Sequence, residues 1–290
     1  MQTVVSLENL APRTPQLPDE PLFVVEPRRF DFHFALKDWW TYRELLYFLI
    51  WRDVKIRYKQ TLLGATWAIL QPLLTMLIFT LIFGRVARID SQGVPYPVFA
   101  LAALLPWTFF ATAISTSGNS IVNSAHVITK VYFPRMIIPV ASVCATLVDL
   151  ATAFPLLLGL MLYYRIGITA RFLFLIPLVL LTTLIAIAVG TWLSALNVRY
   201  RDVKFAVPFL VQLWMLVSPV AYPASVVPGK WRLFYSLNPM AGVISGYRAA
   251  LFGQPFDWAS IGIAAAVTAL LIIYSILQFR KMEKSFADIV

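Results

Sequence analysis

The sequence predicts an all-α integral membrane protein: six transmembrane helices, an N-terminal amphipathic interface helix, and short re-entrant or extracytoplasmic helices before the last span. Three observations carry that prediction. Of 290 residues, 60% are hydrophobic and only 13% charged, with a mean hydropathy of +0.76. A soluble domain of this size needs far more charge to cover its surface. Uncharged runs recur along the chain at about the 20 residues that cross a hydrocarbon core of about 30 Å. Finally, the Lys and Arg residues behind the formal charge of +10 sit between those runs rather than on one soluble domain. They read as a topology signal, and no nucleic-acid partner is expected.

Residues 1–35 are polar and hold Pro12, Pro15, Pro18, Pro21 and Pro27, which reads as a flexible cytosolic arm without a secretory signal. Residues 36–61 form the interface helix. At 100° per residue, Leu46, Tyr47, Ile50, Trp51, Val54 and Tyr58 share one side, and Glu44, Arg52, Lys55 and Lys59 cluster on another. Phe48 intrudes on the charged side and Arg57 borders the apolar one. Such a helix suits a membrane surface, either as a plain anchor or with its charged face docked on a cytosolic partner.

Residues 62–290 form the transmembrane domain. Its spans are predicted at 65–84, 98–122, 136–163, 172–196, 205–222 and 259–279. Pro72 kinks the first, and the third is long enough to tilt. Segment 223–256 is different: its apolar pieces are broken by Pro228, Gly229, Pro239, Gly242, Gly246 and Gly253, and each is too short to cross. It folds back as re-entrant helices or lies as an extracytoplasmic loop with surface helices. With the N-terminus inside, 17 of the 24 Lys and Arg residues fall in cytosolic segments. Both termini are therefore expected in the cytosol.

Two short cytosolic loops, NSIVNSAHVITKVYFP (119–134) and NVRYRDVK (197–204), carry more than a turn needs: Lys130, Tyr132, Phe133, Arg199, Tyr200, Arg201 and Asp202. Paired charges and aromatics suit a protein contact, yet the positive-inside rule and the aromatic belt demand the same residues. Inside the spans, Asp149 is the acidic residue near the middle of the third, and it reads as structural or channel-facing. Trp107, Phe109, Phe110, Trp214 and Tyr222 either pack the bundle or line a path on which sugar rings stack. Cys144 stands alone, so no intrachain disulfide forms. His33 and His126 lack metal-ligand spacing. Gly229-Lys230 lacks the preceding glycine of a phosphate loop, so any ATP that drives this protein binds another chain.

The run RDVKIRYKQTLLGATWAILQPLLTMLIFTLIFG (Arg52 to Gly84) resembles the opening of polysaccharide-export permeases of the ABC exporter superfamily, which export O-antigen, capsule or teichoic-acid polymers. KVYFPRMIIPV (130–140), NVRYRDVK, SPVAYPASVVPGKWRLFYSLNPMAGVISGYR (218–248) and Phe286-Ala287-Asp288 extend the resemblance in order from Leu36 onward. It implies a multi-pass inner-membrane subunit with no catalytic residue, no metal and no cofactor of its own. Two copies would form a continuous channel for a lipid-linked polysaccharide, above two copies of an ATPase subunit that holds ATP and Mg. The helix around Tyr42 to Lys59 would pack on that subunit, the loop Ser124 to Pro134 would seat in its cleft, and the turn Arg199 to Lys204 would lie nearby. The contact residues are then Glu44, Arg52, Lys55, Lys59, His126, Lys130, Tyr132, Arg199, Arg201 and Asp202. The broken segment would form small helices at the outer channel mouth. An exporter of another lipid or drug stays open, as does a membrane-embedded glycosyl- or acyltransferase. The latter is disfavoured because Asp90 and Asp257, the acids near the interface, have no partner histidine.

Overall fold

The computed structural model describes residues 40–59, 66–128, 130 and 133–283. The Pro-rich arm, Tyr132 and the tail at Phe286 to Asp288 lie outside the described residues. Within them every regular element is helical. The first, α1 (Arg43–Tyr58), falls in the segment expected as an interface helix. The next, α2 (Thr66–Phe79), continues into a π-helical turn at Thr80–Val86. Pro72 sits inside α2, where its missing N–H and ring clash disturb the ladder one turn back. A nine-residue link with left-handed Arg88 and Gln92 then leads to α3 (Tyr96–Asn123), which starts on Pro95 and Pro97.

Helix α3 is the centre of the bundle. Nearly all of its length is buried, with Phe99, Leu101, Leu104, Phe110 and Ile121 fully inside. After the single turn α4 (Ala125–Ile128) come α5 (Ile137–Tyr163) and α6 (Leu175–Arg199), the two helices packed most heavily on α3. Small residues set that packing, as expected where lipid supplies no hydrophobic drive between helices. A Cβ at Gly190 of α6 would sit 2.6 Å from the Ser117 Oγ of α3, so the two backbones meet there. The Ser117 hydroxyl in turn donates to the Pro139 carbonyl of α5 (3.0 Å).

Helix α7 (Val203–Val217) has 15 residues, about 22 Å at 1.5 Å per residue. Its expected range reached Tyr222. The chain instead leaves the helix at Ser218, and Ser218 to Tyr222 form a turn held under Arg248. Among the described residues five helices are therefore long and apolar enough to cross a membrane, and α7 is a shorter apolar helix. The broken segment folds as two short 3-10 turns, α8 (Arg232–Ser236) and α9 (Pro239–Phe252). Asn238 caps α9 by accepting the Met240 N–H (3.1 Å), and Gly253 ends it at φ +67°. Helix α9 is buried against α3, α6 and the last helix, α10 (Trp258–Glu283), rather than lying as a surface helix. A Cβ at Gly242 would meet the Ser260 carbonyl at 2.5 Å, which is why that approach needs glycine.

Candidate functional site: a polar cleft beside the interface helix

Helix α1 does not lie across the end of the bundle. Leu49 is buried among Phe133, Ile137, Ile138 and Ala141 at the start of α5, while Tyr42, Leu45, Leu46 and Ile50 pack around it. Two turns further on, Arg57 donates to Asp149 Oδ2 and the Tyr58 hydroxyl donates to Asp149 Oδ1. Asp149 lies 12 residues into α5, about 18 Å from its start. The interface helix thus climbs along α5 to the carboxylate at mid-height. Burial, and then Asp149 itself, push the Tyr58 phenol up to about 12, so it remains a donor at neutral pH.

The packed side of α1 overlaps the expected one but is broader. Its inner positions include Tyr42, Leu45, Leu46, Leu49, Ile50, Asp53, Val54, Arg57 and Tyr58, mostly at steps of three and four residues. Tyr47 and Trp51, expected with them, are exposed, together with Trp40, Phe48 and Ile56. The reason is Arg57. Its partner is a carboxylate inside the bundle, and turning the helix to meet it leaves the largest aromatics facing outward.

Two adjoining cavities open beside this contact. The first, about 480 Å³, lies between α1, α2, α3 and α5 and is lined by Arg57, Tyr58, Gln71, Phe109 and Asp149, among others. The second, about 680 Å³, runs from Arg57 past Arg52, Asp53, Asn119 and His126. Arg57 and Thr116 line both, so together they form one cleft from mid-height to the end of α3. Helix α3 faces the cleft with two polar rows at four-residue spacing: Thr108, Thr112 and Thr116, and Ser115, Asn119 and Asn123. Sequence reading missed both rows, although the spacing was visible in TFFATAISTSGNSIVN. Several of these groups donate back to their own helix, as Thr116 does to the Thr112 carbonyl (2.8 Å) and Asn119 to Ser115 (2.8 Å). Their oxygens and the Arg57 guanidinium give a polar cleft in an otherwise apolar bundle.

The other singled-out residues separate into two groups. Trp107, Phe109 and Phe110 are buried in the core. Trp107 packs on Phe110, whose ring meets Trp214 edge-on at 5.0 Å. The Trp214 indole N–H donates to Asn238 Oδ1 (2.9 Å), and Asn238 donates onward to Ser218 Oγ (2.9 Å). Tyr222 donates to the Leu216 carbonyl (2.9 Å). These aromatics pack within the single chain, with only Phe109 reaching the cleft. The charged residues lie elsewhere. Asn197, near the end of α6, donates to Gly118 O (3.0 Å) and Asn119 Oδ1 (2.9 Å) near the end of α3. Ile121, Val198, Phe279 and Met282 pack together, with Ile128 against them. The ends of α3, α6 and α10 and the turn α4 therefore meet at one pole, beside the first turns of α1. Exposed at that pole are Glu44, His126, Lys130, Arg199, Arg201 and Asp202. Lys55 and Lys59 are also exposed, farther along α1, with Lys55 over the Trp51 ring (5.2 Å). Arg52 is half-buried and pairs with Asp53 (2.8 Å).

The profile of the ABC-2 type transporter family matches residues 44–252, from the first turn of α1 to the end of α9. The chain belongs to that family. Over 257 residues it is 30% identical to the O-antigen export system permease protein RfbA of Myxococcus xanthus, which covers 87% of this chain and 98% of the relative. A protein of the same name from Klebsiella pneumoniae is 28% identical over 247 residues, or 85% and 95% of the two chains. The polysialic acid transport protein KpsM of Escherichia coli is 22% identical over 243 residues, or 82% and 93%. The family match contains the whole cleft of this ABC-2 type transporter chain, the charged residues up to Lys204 and the buried helix α9, while α10 follows it.

Proposed function

We propose that this chain is the transmembrane subunit of an ATP-driven exporter that moves a lipid-linked polysaccharide across the cytoplasmic membrane. Two copies would form the channel, and two copies of a separate ATPase chain would bind ATP and Mg beneath it. The observation that carries this reading is the convergence, at one pole, of exposed charges from segments far apart in sequence: α1, the turn after α3, and the turn after α6. That pole is the face offered to the ATPase, and the positive-inside rule puts it in the cytosol with both termini. Closure of the ATPase pair on ATP would push on those segments and, through α1 and α5, on the cleft. Arg57, which lines both parts of the cleft, suits the phosphate that joins a glycan to its lipid carrier. The relatives named for O-antigen export and polysialic acid transport support the cargo class.

The test has two arms. Tagged chain is purified from its native membrane in mild detergent, and its gene is deleted. The reading expects a stoichiometric ATPase chain to co-purify, and deletion to leave cells without surface polysaccharide while polymer collects in the cytoplasm. Purification without an ATPase after crosslinking, or unchanged surface polymer, would overturn it.

A further inference from the structure

At the pole opposite the charged one, a second polar pocket of about 240 Å³ lies between the broken segment and the start of α10. Its polar lining includes Gln92, Ser225, Tyr235, Arg248, Gln254 and Asp257. Arg248 is 4% exposed and donates to three carbonyls: Val220 (2.9 Å), Tyr222 (3.2 Å) and Phe99 (3.4 Å). A guanidinium has five N–H groups, so two stay uncommitted at a side chain that faces the pocket. The Tyr235 hydroxyl is buried beside that of Tyr222. The neighbouring Tyr222 donates elsewhere, to Leu216. Buried donors without partners are costly, so a group that satisfies them binds well. Asp257 adds an acceptor, already taking the Ser260 N–H (3.2 Å) and Oγ–H (2.7 Å).

We propose that this pocket holds one neutral pyranose unit of the exported glycan. This rests on the polysaccharide reading above. Each sugar hydroxyl both donates and accepts, and the pocket offers both kinds of group. One cation and one anion among its charged lining leave no net charge to select an ionic ligand. Its volume lies below the roughly 300–1,000 Å³ of sites for drug-sized ligands, which suits a single ring. The pocket takes lining from α9 and from segments on both sides of it, so a bound sugar would bridge the broken segment to α10.

Saturation-transfer NMR on the full-length chain in lipid nanodiscs tests this, with methyl glucoside and methyl mannoside as neutral probes. Glucuronate and inorganic phosphate serve as charged ones. The neutral probes should give signals that Ser225→Trp, at the exposed rim, abolishes. Gln254→Ala, which removes one side chain's hydrogen bonds, should weaken them about three- to tenfold. Thermal unfolding of both variants shows that the fold is kept, and Gln254→Ala carries the test alone if Ser225→Trp does not fold. Signals equal in wild type and variants, no signal from neutral sugars, or binding of the charged probes only would each overturn the pocket. Complementation of the deletion strain separates the two readings. If the wild-type gene restores surface polymer while the sugar signals fail, the pocket assignment alone falls. If it does not restore polymer, the cargo reading falls and takes this assignment with it.

Discussion

Replacing Asp149 by Asn should loosen α1 from the bundle without disturbing α3. The wild-type carboxylate meets Arg57 and the Tyr58 hydroxyl at once, with the two charged side chains 24% and 21% exposed. Two unit charges about 4 Å apart interact by about 1–4 kcal/mol for effective dielectrics of about 80 to 20. Partial exposure and side-chain ordering take back much of that, while weakening the Tyr58 hydrogen bond costs about 0.5–1.5 kcal/mol. The net loss is about 1–3 kcal/mol. It falls on the opening of α1, because Arg57 and Tyr58 are its last inward-facing residues. Amide exchange in the last two turns of α1, followed by mass spectrometry in nanodiscs, should therefore quicken about five- to hundredfold, with α3 unchanged. A double-mutant cycle with Arg57→Gln should show that the two losses are not additive. Unchanged exchange in α1, or strictly additive effects, would show that the Arg57–Asp149 pair does not hold the helix.

Other outcomes follow from the same contacts. Gly190→Ala places a methyl 2.6 Å from the Ser117 Oγ, and should lower stability by about 1–3 kcal/mol in thermal unfolding. Ser117→Gly should restore most of that loss, and an unaffected single variant would refute the close α3–α6 approach. Asn238→Ala removes the cap of α9 and the links to Trp214 and Ser218, and should cost about 2–4 kcal/mol. Its effect should appear first as faster exchange at the start of α9, and a stable α9 would argue against the amide as the hub. Charge reversal at Lys130, Arg199 and Arg201 should weaken capture of the ATPase chain roughly tenfold or more at low salt. Full capture by the triple variant would move the docking face elsewhere.

The long helices were legible because lipid makes the signal long and uniform: about 20 apolar residues leave a mark that survives averaging. The same averaging hid the polar rows of α3, since Thr and Ser at every fourth position barely lower the mean of a segment rich in Ala, Leu and Phe. Helix α7 was read as running to Tyr222 for a related reason. Ser218 to Tyr222 carry no charge, so the uncharged run continues past the helix end, and the turn that Pro219 starts is held by Arg248, 26 residues onward, donating to the Tyr222 carbonyl. The orientation of α1 was hardest to see. Its periodicity grouped Tyr47 and Trp51 with Leu46, Ile50, Val54 and Tyr58, and the contact of Arg57 and Tyr58 with a carboxylate some 90 residues away leaves those two aromatics outside.

The polar groups that sequence reading found hardest to place share one physical cause. A charge or amide inside an apolar bundle has no water to fall back on, so its partner must come from protein. Asp149 takes α1, Arg248 takes the carbonyls after α7 and at the start of α3, and Asn238 takes Trp214 and Ser218. Each partner lies on a different segment from the group that needs it. These contacts therefore join the interface helix, the short α7 and the broken segment to the rest of the bundle. In the exporter proposed above, a mechanical push at the charged pole would reach the cleft through the first of these links rather than through the buried α3, whose many apolar contacts resist sliding. If α1 moves against α5 during transport, Arg57 must leave Asp149 or carry it along. That makes the pair the first place where a trapped intermediate would differ from the resting state.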